Sequence, residues 1–309
     1  MNLLSYNAQW VLLSTLLLGM AAGAVGVLSY WKRQSLMSDT LSHAALPGVV
    51  IGFMIVGSKQ LPIMLLAAAI SALVGAWLVQ TIRGSSRVKE DAAMGIVLSV
   101  FFGLGIMLLT FANRMPGGGQ SGLDHFIFGQ AAAMVQSDVV TMMLVAGIVL
   151  LIVVLLLKEW KITLFDASYA QGLGFSVKMM NSLYTALLVL VVVVGIQAVG
   201  VILLAALMII PAVSARYWSN SFSIMLLLSV CFGGGSGVLG TLISTWGKGW
   251  PTGPFIVVTA AVLFVVSLLF GTSKGLVTVW YYRRRQTIEK QKHALKAVIA
   301  SELGEGAHQ

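Results

Sequence analysis

The chain has 309 residues, 58% of them hydrophobic and only 9% charged, with a mean hydropathy of +0.95. That excludes a soluble domain, in which about a quarter of residues are charged, and apolar stretches of about 20 residues exclude a barrel in favour of membrane-spanning helices. The net charge of +9 would suit nucleic acid until the helices are laid out, when it becomes a matter of topology.

In chain order, spans are expected near residues 11–30, 35–56, 61–82, 91–111, 139–157, 182–195, 198–215, 222–243 and 254–270. The first, with LLLGMAAGA, has the look of a cleavable signal, but it lacks a basic leader and stays apolar to Tyr30, so it reads as a retained helix. Nine crossings place sixteen Lys and Arg on one side and only Lys59, Arg114 and Lys248 on the other. That positive-inside bias puts the C-terminus in the cytoplasm and the N-terminus outside. Residues 182–215 must then hold two short helices turning near Gly195 to Gly200, and eight spans with one broken helix is the alternative count.

The second span carries the most informative pair. Asp39 and His43 sit in SLMSDTLSHAALPGVV, one turn apart, so a carboxylate and an imidazole lie on one helix face and can point at one ion. Ser35, Ser38 and Ser42 fall beside them. An ionisable residue within a membrane helix costs about 2.5–3.5 kcal/mol on insertion scales near the centre, and so marks a partner or a pathway by default. The plain structural alternative is that the two side chains merely satisfy each other. Pro47 has no N–H, so the carbonyl of His43 loses its helical partner and is free for water, a side chain or an ion.

Between the fourth and fifth spans, NRMPGGGQSGLDHFIFGQ forms an outer loop in which Asp124 reads as a helix cap and the adjacent His125 as a poor chelating neighbour. In the segment from Lys158 to Asn181, Phe165, Tyr169, Leu173 and Phe175 suit a short amphipathic helix ending at Gly172 or Gly174; a structural connector is the plain alternative, but one could be far shorter, which favours a docking element for a cytoplasmic partner. Cys231 is the only cysteine, which excludes an intrachain disulfide; it reads as a thiol packed where the small residues of GGGSGVLG let helices approach. Residues 1–280 thus form a transmembrane domain and 281–309 a solvated basic tail, whose His293 and His308 are expected to ligate nothing. There is no G-x-x-x-x-G-K-[ST] run, so the chain builds no P-loop, and any ATP is hydrolysed by a partner.

Four blocks carry a family resemblance: DTLSHAALPG, KEDAAMGIVLSVFFGLGIMLL, QAVGVILLAALMIIPAVSARYW and TGPFIVVTAAVLFVVSLLF. Together they resemble the ABC-3 permeases of bacterial importers for manganese, zinc or iron. The resemblance runs from about Asn2 to Lys274 and implies an all-α permease of about eight or nine transmembrane helices, of the type II importer kind, in the bacterial cell membrane. It implies partners: a second permease protomer (the same chain or a paralogue), cytoplasmic ATPase subunits and an extracellular metal-binding lipoprotein. It also implies that Asp39 and His43 are ligands to the transported ion, and that Asp166 to Met180, including Tyr169, Leu173, Gly174 and Phe175, form the coupling element. Two protomers would then supply two carboxylates and two imidazoles, an oxygen and nitrogen set suited to manganese, zinc or ferrous iron. The competing functions are an ion- or proton-coupled secondary carrier, in which Asp39 and His43 would form a relay, and a siderophore- or cobalamin-type permease, which has no use for a chelating pair.

Overall fold

The computed structural model describes residues 6–57, 60–114, 136–247, 250–280 and 284. The outer loop with Asp124 and His125 and the tail with His293 and His308 lie outside the described residues. Among those described, the helices are α1 (Tyr6–Trp31), α2 (Met37–Val56), α3 (Leu61–Ser85), α4 (Glu90–Asn113), α5 (Gln136–Leu155), α6 (Leu157–Phe165), α7 (Ala167–Gly172), α8 (Val177–Val199), α9 (Val201–Trp218), α10 (Phe222–Trp246) and α11 (Thr252–Phe270). Eight of them are long and apolar enough to cross a membrane, and α9 is the shorter ninth.

The expected break in residues 182–215 falls at Gly200 alone. Its backbone, φ 90° and ψ 160°, is open to glycine and closed to other residues, and it ends α8 and begins α9 in one step. Gly195 does not break the chain. The valine-rich run carries α8 through it, and the missing side chain gives space instead to Leu204 across the turn, whose Cδ1 would lie 2.5 Å from a Cβ at 195. Both α8 and α9 then run the full depth of the bundle: Val199 meets Gly253 at the start of α11, and Tyr217 accepts backbone hydrogen bonds from Ser273 and Lys274 beyond its end.

At the basic end, aromatic rings join α1, α6 and α10. Trp31 stacks edge-on with Phe165 at 4.7 Å, Phe165 with Phe222 at 6.5 Å, and the Arg216 guanidinium lies 5.4 Å from the Trp31 ring. Helices α1, α2 and α8 are largely enclosed by the others, whereas α3, α4, α5 and α11 present most of their surface outward, as the lipid-facing layer of a helical membrane protein does.

Helices α1 and α10 pack at backbone distance. A Cβ on Gly19 of α1 would lie 2.2 Å from the Gly233 carbonyl oxygen of α10, and one on Gly237 would lie 2.4 Å from that of Thr15. The approach lets Ser229 donate to the Gly23 carbonyl at 2.8 Å and brings the Thr15 and Thr241 hydroxyls to 2.9 Å. Dispersion and interhelical hydrogen bonds drive such contacts, because lipid offers no hydrophobic gain between helices. The small-residue run does mark a close approach, but Cys231 is exposed, since it lies about 200° around the helix from Ser229. Accordingly, Gly233→Ala is expected to destabilise the detergent-solubilised protein by about 1–3 kcal/mol through overpacking, whereas Gly235→Ala, with open space at its Cβ, leaves thermal unfolding unchanged or slightly raises its midpoint. Equal effects of the two substitutions in a thermal-unfolding assay would contradict the packing assigned here.

Candidate functional site

Helix α2 is held on one side by a small-residue seam. Ala44, Gly48 and Gly52 recur every fourth residue and meet the matching stripe Ala67, Ser71 and Gly75 of α3: a Cβ on Gly48 would lie 2.2 Å from the Ala67 carbonyl oxygen, and one on Gly75 would lie 2.7 Å from the Ala44 Cβ. At about 100° per residue this seam lies about 160° around α2 from the Asp39 and His43 stripe. Seating α2 against α3 therefore turns the ionisable face away from α3 and toward α4.

On that face the two side chains converge. His43 Nε2 stands 3.5 Å from Asp39 Oδ1, with 13% of the His43 side chain and 33% of the Asp39 side chain exposed. The separation is longer than an ordinary hydrogen bond. It does match the bite of one ion, because ligands at about 2.0–2.2 Å from a metal, subtending about 90–109°, stand about 2.8–3.6 Å apart. Asp39 lies in the first turn of α2, where the positive end of the helix dipole favours a carboxylate. The pair is thus in the first third of the span at its basic end, closer to the surface than an apolar run beginning at Ser35 suggests.

Helix α4 completes the wall. The Phe102 ring meets the imidazole edge-on at 4.7 Å, the Thr40 hydroxyl, 3.0 Å from the Leu36 carbonyl oxygen of its own helix, also lies 3.4 Å from that of Met94, and Leu46 fills the space above Gly105. His43 Nδ1 is buried without a hydrogen-bond partner, so the Phe102 contact rather than an acceptor sets the ring plane. The neighbouring serines do not join the pair: Ser38 donates to the Ser35 carbonyl and Ser42 to the Ser38 carbonyl. Pro47 lies inside α2 as expected, and the loosened turn is held from α3, where the Ser71 hydroxyl donates to the Ala44 carbonyl at 2.6 Å. Among the described residues no group of three or more His, Cys, Asp or Glu side chains converges, so a single chain offers two side-chain donors of this kind at Asp39 and His43.

Phe102 and Ser71 were not legible as site residues. The spacing of small residues at 44, 48 and 52 and at 67, 71 and 75 is the signal that could have found the seam, and with it Ser71.

The segment expected to be one amphipathic helix is two. Asp166 interrupts it and caps the second: its Oδ1 accepts from the Tyr169 N–H at 2.8 Å. Phe165 ends α6 and anchors it on Trp31, while α7 closes with Gly174 at φ 88°, Phe175 N–H donating to the Ala170 carbonyl and Gly174 N–H to the Gln171 carbonyl, both at 3.0 Å. Ser176 then caps α8. Between these fixed points Tyr169 and Leu173 are 58% and 52% exposed, and Phe175 and Met179 are exposed beside them. The sharp turns thus hold apolar side chains out of the bundle at its basic end.

A polytopic helical bundle with a carboxylate and an imidazole paired on an enclosed helix fits a transport permease, and the comparisons agree. Residues 5–271 match the ABC 3 transport family, and the chain belongs to that family. It is 44% identical over 288 residues to the manganese transport system membrane protein MntC of Bacillus subtilis, covering 92% of this chain and 66% of that longer protein. With the zinc transport system membrane protein TroC of Treponema pallidum it shares 42% identity, covering 93% and 96% of the two chains. Its fold is similar to that of PsaBC from Streptococcus pneumoniae, solved in complex with a Fab, with a TM-score of 0.76 and 34% identity over 87% of this chain and 94% of that one. It is a membrane permease and not itself an enzyme. Family membership sets aside the secondary-carrier alternative.

Proposed function

We propose that this chain is the permease subunit of an ATP-driven importer that passes a divalent transition metal ion, manganese ahead of zinc or iron, from an extracellular binding lipoprotein to the cytoplasm. The observation that carries the reading is the 3.5 Å separation of Asp39 Oδ1 and His43 Nε2 on an otherwise apolar membrane helix of an ABC 3 family chain. Mixed carboxylate and imidazole donors suit these three metals. Relatives bearing manganese and zinc in their names support the class, and manganese is favoured because it names the 44% identical relative.

The basic end faces the cytoplasm by the positive-inside rule, and the C-terminus lies there with it. A second protomer, this chain or a paralogue, brings a second carboxylate and imidazole to complete the coordination that one chain begins. Asp166, Tyr169, Leu173, Gly174 and Phe175 form the element that seats in the ATPase, the capped turns transmitting its motion to α6 and α8 and the exposed apolar side chains filling its groove.

Three outcomes follow. Asp39→Ala or His43→Ala abolishes manganese accumulation by cells expressing the full transporter while the complex still assembles; near-normal uptake by both variants would reduce the pair to a structural contact. Leu173→Glu places a charge in the ATPase groove and uncouples ATP hydrolysis from transport in the purified complex, and normal coupling in that variant would remove the docking assignment. Metal affinity of the detergent-solubilised permease falls as the medium is acidified from about pH 8 to about pH 5, because the ligating imidazole must be neutral and the carboxylate ionised. The sign is fixed by direct competition between protons and the ion, and affinity that stays flat across this range while His43 is shown to be a ligand would contradict it.

A further inference from the structure

At the basic end, away from the Asp39 and His43 pair, a cavity of about 700 Å³ opens between the last turns of α1 and α3, the first turns of α2, α4 and α8, and the α6–α7 segment. Its charged lining is Lys32, Arg83 and Glu90, two cations against one carboxylate. The carboxylate is already engaged: Glu90 Oε1 accepts from Arg83 Nη1 at 3.2 Å and from Gln34 Nε2. Lys32 has only neutral direct partners, the Asn181 side-chain oxygen and the face of the Tyr184 ring, whose centroid is 4.7 Å from Nζ. Tyr184 spends its own hydroxyl on Ser29 at 2.9 Å.

The backbone adds to the same sign. Three helices, α2, α4 and α8, bring first-turn residues to the wall; neither α2 nor α4 has a side-chain cap on its N-terminal N–H groups, and Asp39 in the first turn of α2 and Glu90 and Asp91 in that of α4 offset part of that charge. Each helix N-terminus carries a partial charge of about +0.5. Burial pushes Lys32 down to about 8, with Glu90 opposing the shift and Arg83 adding to it.

We propose that this cavity binds a phosphate-class anion, held by Lys32 and Arg83 against the first turns of α2 and α4. Its depth favours the headgroup of an anionic phospholipid as the source, because Lys32 directly follows the α1 span and Arg83 lies in the last turn of α3, at the level where basic pockets between membrane helices meet headgroups. A cavity of this volume also exceeds what one free phosphate fills.

The test uses the full chain assembled with its ATPase subunits. Native mass spectrometry compares retention of phosphatidylglycerol with that of phosphatidylcholine, and a thermal-shift titration uses inorganic phosphate alone. Phosphatidylglycerol should be preferred, Lys32→Gln should weaken its retention at least tenfold, and Glu90→Gln should strengthen it by removing the competing carboxylate. Opposite signs distinguish anion binding from a structural role, for which both substitutions would cause loss. Retention should also fall as pH rises through about 8, where Lys32, faced by Glu90, Arg83 and Tyr184, gives up its proton. A phosphate-induced stabilisation that disappears in Lys32→Gln, without lipid preference, supports the anion site and assigns it to free phosphate. Equal retention of the two lipids with no phosphate effect, the same response in both variants, or cross-linking of Lys32 to an acidic side chain of the ATPase would overturn the proposal.

Discussion

Everything at the candidate metal site depends on how α2 is rotated, and the seam with α3 sets that rotation. Ala44, Gly48 and Gly52 meet Ala67, Ser71 and Gly75 closely enough that an added Cβ on Gly48 would overlap the α3 backbone. A helix in lipid gains nothing by hiding leucines from water, so it is oriented by the face that lets backbones approach and by the hydrogen bonds that the approach allows. The seam supplies both, and its hydrogen bond lies next to the turn that Pro47 weakens. The opposite face, with Asp39 and His43, is thereby presented between α4 and the open side of the bundle.

The two ends of the molecule divide the work. The end with Val199 and Gly253 is closed by backbone contact and by the Gly200 turn, whereas the basic end is built from larger pieces: the aromatic cluster of Trp31, Phe165 and Phe222, the capped turns at Asp166 and Ser176, and the charged cavity at Lys32. Phe165 ties α6 to the bundle through Trp31, while Tyr169 and Leu173 stay exposed at the turn that leads into α8.

Much of this was legible in the sequence where the physics is local. Hydropathy located the spans to within a few residues, and a pair at i and i+4 has one geometry on a helix, so Asp39 and His43 could be matched before any fold was known. Glycine was harder, because one residue type has two uses. Gly200 breaks a helix and Gly195 makes room for a neighbour, and only the packing distinguishes them. Cys231 was misplaced for a similar reason, since a small-residue run marks a close approach without saying which of its neighbours face it. Phe102 and the Lys32 cavity come from elements far apart in the chain and had no local signature.

The central claim is that one chain supplies half of a metal site. The most direct measurement is electron spin-echo spectroscopy of Mn²⁺ bound to the assembled transporter with its histidines labelled with ¹⁵N, together with metal analysis. One ion for each pair of permease chains is expected, with a nitrogen coupling that is lost in His43→Ala. An ion bound to each chain separately, or a manganese signal without histidine nitrogen, would contradict it.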